Sequence, residues 1–264
     1  MADQGLSAAA VLVARTLSDE TGLIETDDLV VCEVPVALSF NGISYAVMMA
    51  TPADLEDFIR GFAIGEGIVS SSSAIYDIEI TEAPNGVDVN ASVSNETAFK
   101  LKDRRRSMAG PSGCGLCGIE SIEQLSRSVK PVSSDATFSE VPSEVALDQA
   151  LAGLRPLQDI SRHTGGAHAA AWCSPTGDIL ALREDVGRHN ALDKILGWRA
   201  LNPSAGFLLV SSRASFEMVS KAATAGVSVL VAVSAPTSAA IDTAKQARLC
   251  LIAFATKGRS ARYS

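Results

Sequence analysis

The sequence predicts an α/β protein, with a parallel-stranded core in its C-terminal part and a smaller α+β unit near the N-terminus. Three observations carry this. GFLLVSS, SFEMVSKAATAG, VSVLVAVS, PTSAAIDTAKQA and RLCLIAFA alternate strand, helix, strand, helix, strand. The later strands are short, continuously apolar and joined by helices, the signature of parallel strands covered on both faces. Upstream, DLVVCEVPVALSF and ISYAVMM flank Asn41-Gly42, the signal of a two-residue hairpin turn.

Each element has a local reason. Residues 28 to 49 read as that hairpin. Thr51-Pro52 then opens a helix, with Thr51 as cap and Pro52 at its first position. Leu55, Phe58, Ile59 and Phe62 fall on one face of it, and Gly65 and Gly67 end it. IYDIEI and VDVNASV form a second strand pair around Pro84-Asn85-Gly86. Val129 to Val141 is poor in pattern and suits a connection. Pro142 to Leu154 reads as a helix, with Val145, Leu147, Ala150 and Leu151 available for packing. HAAAWCSP and DILALRED read as a hairpin. HNALDKILGW reads as a helix burying Ala191, Leu192, Ile195 and Leu196. In the helix of SFEMVSKAATAG, Ser215 caps the start, Gly226 the end, and Glu217 and Lys221 make an i,i+4 pair.

Composition narrows the function. The 264 residues are 47% hydrophobic, enough for one large core or two small ones. The net charge of −8 argues against a general nucleic-acid binder, although a local basic pocket for one small anion remains compatible with it. No positive residue precedes the apolar stretch from Leu6 to Ala14 and Arg15 closes it, so neither a signal peptide nor a membrane span is expected. The five cysteines, an odd and scattered set, point to a reducing cytoplasm.

Cys114 and Cys117 form the only Cys-x-x-Cys pair, within GPSGCGLCGIESIEQL. Such a pair can bind zinc, cycle as a redox dithiol, or carry sulfur. A structural zinc site needs four ligands, and no second pair stands nearby. A thioredoxin-like dithiol sits at a strand end in a βαβ pattern, not in a glycine-rich loop. Sulfur chemistry fits best. The apolar stripe Ile119, Ile122 and Leu125 places the pair near a helix N-terminus, and Lys102, Arg104, Arg105 and Arg106 precede it. Both influences raise the thiolate fraction.

Three further stretches hold candidate binding residues. RHTGGAHAA sets His168 beside a ligand-facing glycine turn, or in a structural hydrogen bond. EDVGRHNALDK reads either as a helix start capped by Asp185 with a solvated face, or as a polar cluster holding a ligand or a partner loop. SSRASFEM puts Arg213 at the carboxyl end of a strand before a helix N-terminus, which is phosphate-binding chemistry. Phe216 beside it stacks on a heterocycle or joins the core. Ligands of such sheets sit at strand carboxyl ends, here Ser211–Arg213, Ser234 and Phe254–Lys257. No Gly-x-Gly-x-x-Gly or Walker A sequence is present, which removes the common nucleotide sites.

Taken together, EVPVALSFNGISYAVMMATPADLEDFIRGFAIGEGI, RRRSMAGPSGCGLCGIE, HTGGAHAAAW, EDVGRHNALDKILG, SSRASFEMVSKAATAGVSVLVAVSAPT and AFATKGRSARY resemble the formate dehydrogenase accessory sulfurtransferase family, FdhD/NarQ, over about residues 28 to 263. The resemblance implies an N-terminal extension at 1–27, a smaller α+β domain at 28–128 ending in the cysteine loop, and a cytidine-deaminase-like α/β core domain at 129–264. It implies a cytoplasmic homodimer that takes persulfide sulfur from a cysteine desulfurase. The sulfur would go to the molybdenum or tungsten bis-molybdopterin guanine dinucleotide cofactor before that cofactor enters formate dehydrogenase. By the same resemblance, Cys114 carries the persulfide and Cys117 assists by relay or disulfide release. Ile252, Ala253, Phe254, Ala255, Thr256 and Lys257 bind the cofactor, where many relatives have glycine, cysteine or proline at some positions. Arg213 and the basic C-terminal residues would hold the guanosine phosphates. No structural metal, nucleic acid or membrane is expected. The competing reading is a non-catalytic chaperone that binds the cofactor and delivers it.

Overall fold

The computed structural model describes residues 8–20, 22–107, 132 and 140–264. Among these residues the fold is mixed α/β with three sheets. In chain order the elements begin with strands β1 (Ala10–Asp19), β2 (Gly22–Val31), β3 (Val34–Phe40) and β4 (Ile43–Ala50), then helix α1 (Leu55–Gly65). Next come β5 (Ile75–Ala83), β6 (Gly86–Val93), α2 (Asn95–Ser107), α3 (Glu144–Leu157) and α4 (Asp159–Thr164). The remainder is β7 (His168–Cys173), β8 (Ile179–Asp185), α5 (Arg188–Leu201), β9 (Phe207–Val210), α6 (Phe216–Thr224), β10 (Val229–Ala232), α7 (Ser238–Ala247), β11 (Cys250–Thr256) and β12 (Arg259–Arg262). Among the described residues no helix is long and apolar enough to cross a membrane.

The four-stranded sheet runs β4-β3-β6-β5. The β3–β4 hairpin turns through Asn41 and Gly42, both at positive φ, as a type I′ turn requires. The second hairpin, β5–β6, lies parallel to the first through β3 and β6. Alternate strand residues Val36, Leu38, Phe40, Val89 and Ala91 are buried, and α1 covers them with Phe58, Ile59 and Phe62.

The six-stranded sheet runs β12-β11-β10-β9-β7-β8, with β9, β10 and β11 parallel. Consecutive residues of one strand enter different cores. Leu208 and Val210 pack with Leu192, Met218 and Ala244 on the side of α5, α6 and α7. Phe207 and Leu209 pack with Leu147, Ala150 and Leu154 of α3 on the other. That explains why these strands read as unbroken apolar runs: neither face meets water. Each fully buried leucine contributes about 1.5–3 kcal/mol, so both cores are needed to hold the layer together.

The two sheets are joined where α1 crosses α5. A Cβ on Gly61 would come within 1.7 Å of the Asp193 carbonyl oxygen, and one on Gly197 within 1.9 Å of the Asp57 carbonyl oxygen. Each helix thus offers a glycine to the other's backbone, and only glycine permits so close an approach. Arg183 of β8 clamps the crossing, donating to Asp57 Oδ2 from Nε at 2.9 Å and from Nη2 at 2.7 Å.

Several local expectations change. The stretch 28–40 is not one strand: β2 ends at Val31 and β3 begins at Val34, so β2 runs through the 27/28 boundary placed from the sequence. Thr51 does not cap α1, which starts at Leu55 after Asp54 in a left-handed conformation. Thr51 is fully buried, and its side chain and amide are taken by the β8–α5 turn. Val145 is 76% exposed, whereas Leu154 takes the core position. Glu217 and Lys221 do not pair with each other: on α5, Glu217 lies against His189 and Lys221 pairs with the fully buried Asp193. The caps of α6 hold: Ser215 Oγ accepts from Met218 N–H, and Gly226 follows the last turn at positive φ.

Candidate functional site

Topology gathers the candidate residues at one end of the six-stranded sheet. The carboxyl ends of β9, β10 and β11 share that end. Because β7 is antiparallel to β9, its first residue, His168, lies there too, and antiparallel β8 returns Asp185 opposite it. The stitching is direct. Ser211 N–H donates to the Ala169 carbonyl, and Ala169 N–H donates to Ser211 Oγ, each at 2.9 Å. Phe254 N–H donates to the Ser234 carbonyl at 3.1 Å. Helices α6 and α7 start at this rim, capped by Ser215 and by Thr237, whose Oγ1 accepts from Ala240 N–H at 3.2 Å. Their remaining N-terminal amides favour an anion.

The rim is cationic. Arg213 and Lys257 are exposed and Arg188 is half-buried, and none of the three has an acidic partner among the described residues. Phe254 is 44% exposed and holds φ at +52°, a left-handed conformation that costs a non-glycine residue about 1–2 kcal/mol. It lies within an irregularity in the β11–β12 pairing between Ala253 and Thr256. The chain thereby turns this ring outward while Ala253 and Ala255 stay buried. Of the six residues 252–257, Phe254, Thr256 and Lys257 face out, whereas Ile252, Ala253 and Ala255 are core and shape the strand behind them. Gly258 N–H donates to Asp148 Oδ1 at 2.7 Å, which ties the end of this stretch to α3. Phe216 is half-buried between the two roles foreseen for it. Burial holds the His168 imidazole below its ordinary range, reinforced by Arg188 and His189 and opposed by Asp185. A neutral imidazole at this rim can accept a proton or a hydrogen bond.

Beneath the rim, EDVGRHNALDK proves to be neither a solvated face nor a simple cap. Asp185 and Lys194 are fully buried, with Lys194 Nζ 2.7 Å from Asp185 Oδ2. Lys194 also donates to the Thr51 carbonyl at 2.9 Å, and Asp185 Oδ2 accepts from Thr51 N–H at 3.0 Å. Asn190 Nδ2 donates to the Met49 carbonyl and to Asp185 Oδ1. The cluster thus holds a loop, and the loop is the end of β4 from the four-stranded sheet. Glu184 accepts from Ile160 N–H and Ser161 N–H at the start of α4, while burial raises its pKa.

One helical turn apart, α5 and α6 meet through two pairs of polar side chains. His189 Nε2 lies 2.7 Å from Glu217 Oε2, close enough for an ion pair though not aligned as a hydrogen bond. Lys221 reaches Asp193 at 2.7 Å and Glu66 at 3.1 Å. Burial pushes the Asp193 carboxyl up to about 6, against the attraction of Lys221. Burial alone would pull Lys221 down, but Asp193 and Glu66 outweigh it and hold its ammonium above the usual range. This ladder fixes the start of α6, three residues beyond Arg213. The signal was present in the sequence as matched i,i+4 spacings, 189/193 and 217/221, on two helices that proved adjacent. Cys114 and Cys117 lie outside the described residues, as do Arg104, Arg105 and Arg106 for their side chains.

A sheet with parallel strands whose carboxyl ends carry Arg213, Lys257 and the N-termini of α6 and α7 defines a class: a mixed α/β protein with a cationic rim at its strand ends. The chain is more closely placed by its relatives. Residues 31–264 match the FdhD/NarQ family, and the chain belongs to that family. It is 50% identical over 245 residues to the sulfur carrier protein FdhD of Cupriavidus necator, covering 92% of this chain and 84% of that one. It is 46% identical over 261 residues to the sulfur carrier protein FdhD of Bordetella petrii, covering 97% and 92%. Its fold is similar to a crystal structure described as a formate dehydrogenase accessory protein, from Desulfotalea psychrophila, with a TM-score of 0.76, 22% identity and 97% of each chain covered.

Proposed function

We propose that this protein is a cytoplasmic sulfur carrier for formate dehydrogenase, a sulfurtransferase that receives sulfur from a cysteine desulfurase and delivers it to the molybdenum or tungsten bis-molybdopterin guanine dinucleotide cofactor. The observation that carries the proposal is the cationic rim on a chain half identical to a named sulfur carrier. Arg213, Lys257 and the amides of α6 and α7 suit the guanosine phosphates of that cargo. Phe254, turned outward at energetic cost, suits the face of a heterocycle. The division into a smaller α+β domain and a cytidine-deaminase-like core domain, and assembly as a homodimer, belong to the same reading.

In this scheme the Cys114 thiolate attacks the outer sulfur of the donor's persulfide. A sulfur–sulfur bond breaks, the donor leaves as a thiolate, and Cys114 carries the persulfide. Attack by the Cys117 thiolate on the inner sulfur would release the outer one as sulfide. The two electrons come from the cysteines, which end as a disulfide. Relay through Cys117 is the other route for the same sulfur.

Incubation with a desulfurase and cysteine, followed by mass spectrometry, tests the proposal. A gain of one sulfur on the peptide carrying Cys114 is expected. Cys114→Ala should keep cofactor binding while abolishing sulfur delivery and formate dehydrogenase activity. Full enzyme activity with that variant would leave the non-catalytic chaperone as the better reading.

A further inference from the structure

Beside β9, whose carboxyl end leads to Arg213, the six-stranded sheet continues into β7 and β8. His168 opens β7 opposite Asp185 of β8, and directly opposed residues share a face. Alternation puts that face on the side of Ala170 and Trp172, which pack in the core with Leu192 of α5 and Met218 of α6. The imidazole therefore lies at the start of α5, where Arg188 and His189 act on it as positive neighbours. The turn that delivers it is tightly held. Gly165 ends α4 at φ +68°, Gly166 N–H donates to Thr164 Oγ1 at 3.1 Å, and a Cβ on Gly166 would come within 2.6 Å of Val31 Cγ1.

Both carboxylates at this end are already engaged. Asp185 Oδ1 accepts from Gly187 N–H at 2.8 Å and from Asn190 Nδ2 at 2.9 Å. Asp185 Oδ2 accepts from Thr51 N–H at 3.0 Å and lies 2.7 Å from Lys194 Nζ, so its lone pairs are spent below the ring. Glu217 of α6 stands against His189. Of the three histidines, His163 bonds the Asp159 carbonyl and His189 faces Glu217, while the His168 ring has no hydrogen bond among the described residues. No side chain caps α5, and its first turn holds no acidic residue, so its positive end adds to Arg188. Burial, Arg188 and His189 together outweigh Asp185 and keep the imidazole neutral. Arg188 alone would answer one negative charge. A group with two, the bridged diphosphate of a nucleotide derivative, leaves one over to stabilise a proton on the adjacent ring.

We propose that His168 and Arg188 together hold the diphosphate of the cargo, and that His168 takes up a proton from solvent as the diphosphate binds. Arg188 supplies a fixed charge, and the imidazole becomes a cationic donor only when the site is filled. The proposal rests on the reading of the cargo as a guanosine diphosphate derivative and adds the residues and the proton.

Calorimetry of the full chain with guanosine diphosphate mannose, at about pH 7 in buffers of different ionisation enthalpy, tests it. The diphosphate of this probe is bridged on both sides and does not titrate there, so a proton taken up goes to the protein. Uptake of about half a proton or more is expected, because a close opposite charge moves a pKa by about 1–3. His168→Gln should abolish the uptake and bind roughly tenfold more weakly, and Arg188→Gln should bind at least roughly tenfold more weakly. Guanosine, which lacks the diphosphate, should cause no uptake. Binding of the probe without uptake, uptake that survives His168→Gln, or equal uptake with guanosine overturns the inference while the cargo reading stands. A wild type that does not bind the probe overturns both. If His168→Gln fails to fold, proton NMR of the three imidazoles decides. One of them, retained in His163→Gln and in His189→Gln, should titrate below its ordinary range in the free protein and rise when the probe binds. Titrations that the probe leaves unmoved, or a moving resonance lost with His189, overturn the inference.

Discussion

The seam between the sheets and the rim of the larger sheet are both rich in charge, yet they treat it in opposite ways. At the seam these charges are fully or partly buried and each is answered: Lys194 by Asp185, Lys221 by Asp193 and Glu66, Arg183 by Asp57. At the rim, Arg213, Lys257 and Arg188 have no acidic partner among the described residues. Paired and buried charges fix a frame, whereas unpaired charges at strand ends stay open to solvent. The rim can stay uncompensated because water solvates it, while charges inside the seam depend on their partners.

Four measurements sharpen or break that contrast. Lys194→Met leaves the Asp185 carboxylate buried without its cation and should destabilise by about 3–5 kcal/mol in urea unfolding. A loss below about 1 kcal/mol would mean that the seam is not held by this pair. Gly61→Ala should cost about 3 kcal/mol, since the methyl would meet the Asp193 carbonyl and one helix must shift. Asp193 supplies the pH test. Its folded pKa of about 6 exceeds the ordinary 3.8, so between these values the native state binds more protons than the unfolded one. Its contribution to stability therefore falls as pH rises through that window. Asp193→Asn should flatten the melting temperature between those pH values, and an unchanged slope would assign it to other groups. Lys221 acts at the alkaline end: its raised pKa contributes stability that is lost only as pH climbs through its folded value. At the rim, Arg213→Ala should leave stability within about 0.5 kcal/mol of wild type while weakening guanosine diphosphate binding in calorimetry. Equal losses of stability and binding would make Arg213 part of the frame.

How much of this was legible in the sequence differs by element. The β9-α6-β10-α7-β11 alternation was readable because doubly buried strands leave unbroken apolar runs, and the Asn41-Gly42 turn because its backbone needs φ above zero at both positions. Arg213 at a strand end followed from that alternation alone. The role of Asp185 was not readable. A carboxylate three residues before a helix looks like a cap, and only the fold brings Thr51 and Lys194 to it from opposite directions. Val145 misled for a related reason: helical spacing defines a stripe but not which edge of the stripe meets the sheet. Two of the elements that frame the rim, β7 and β8, are antiparallel, so their contribution of His168 and Asp185 to the same end appeared only with the strand order.

The reciprocal glycines where α1 crosses α5 bear on how the two sheets can move against each other. Packed helices ordinarily slide past each other by exchanging rotamers at their interface. Here the touching surfaces are peptide carbonyls and α-hydrogens, which have no rotamers to exchange. A shift of one helix by a single turn would drive a side chain into a carbonyl oxygen. The four-stranded and six-stranded sheets are therefore riveted rather than hinged at this crossing.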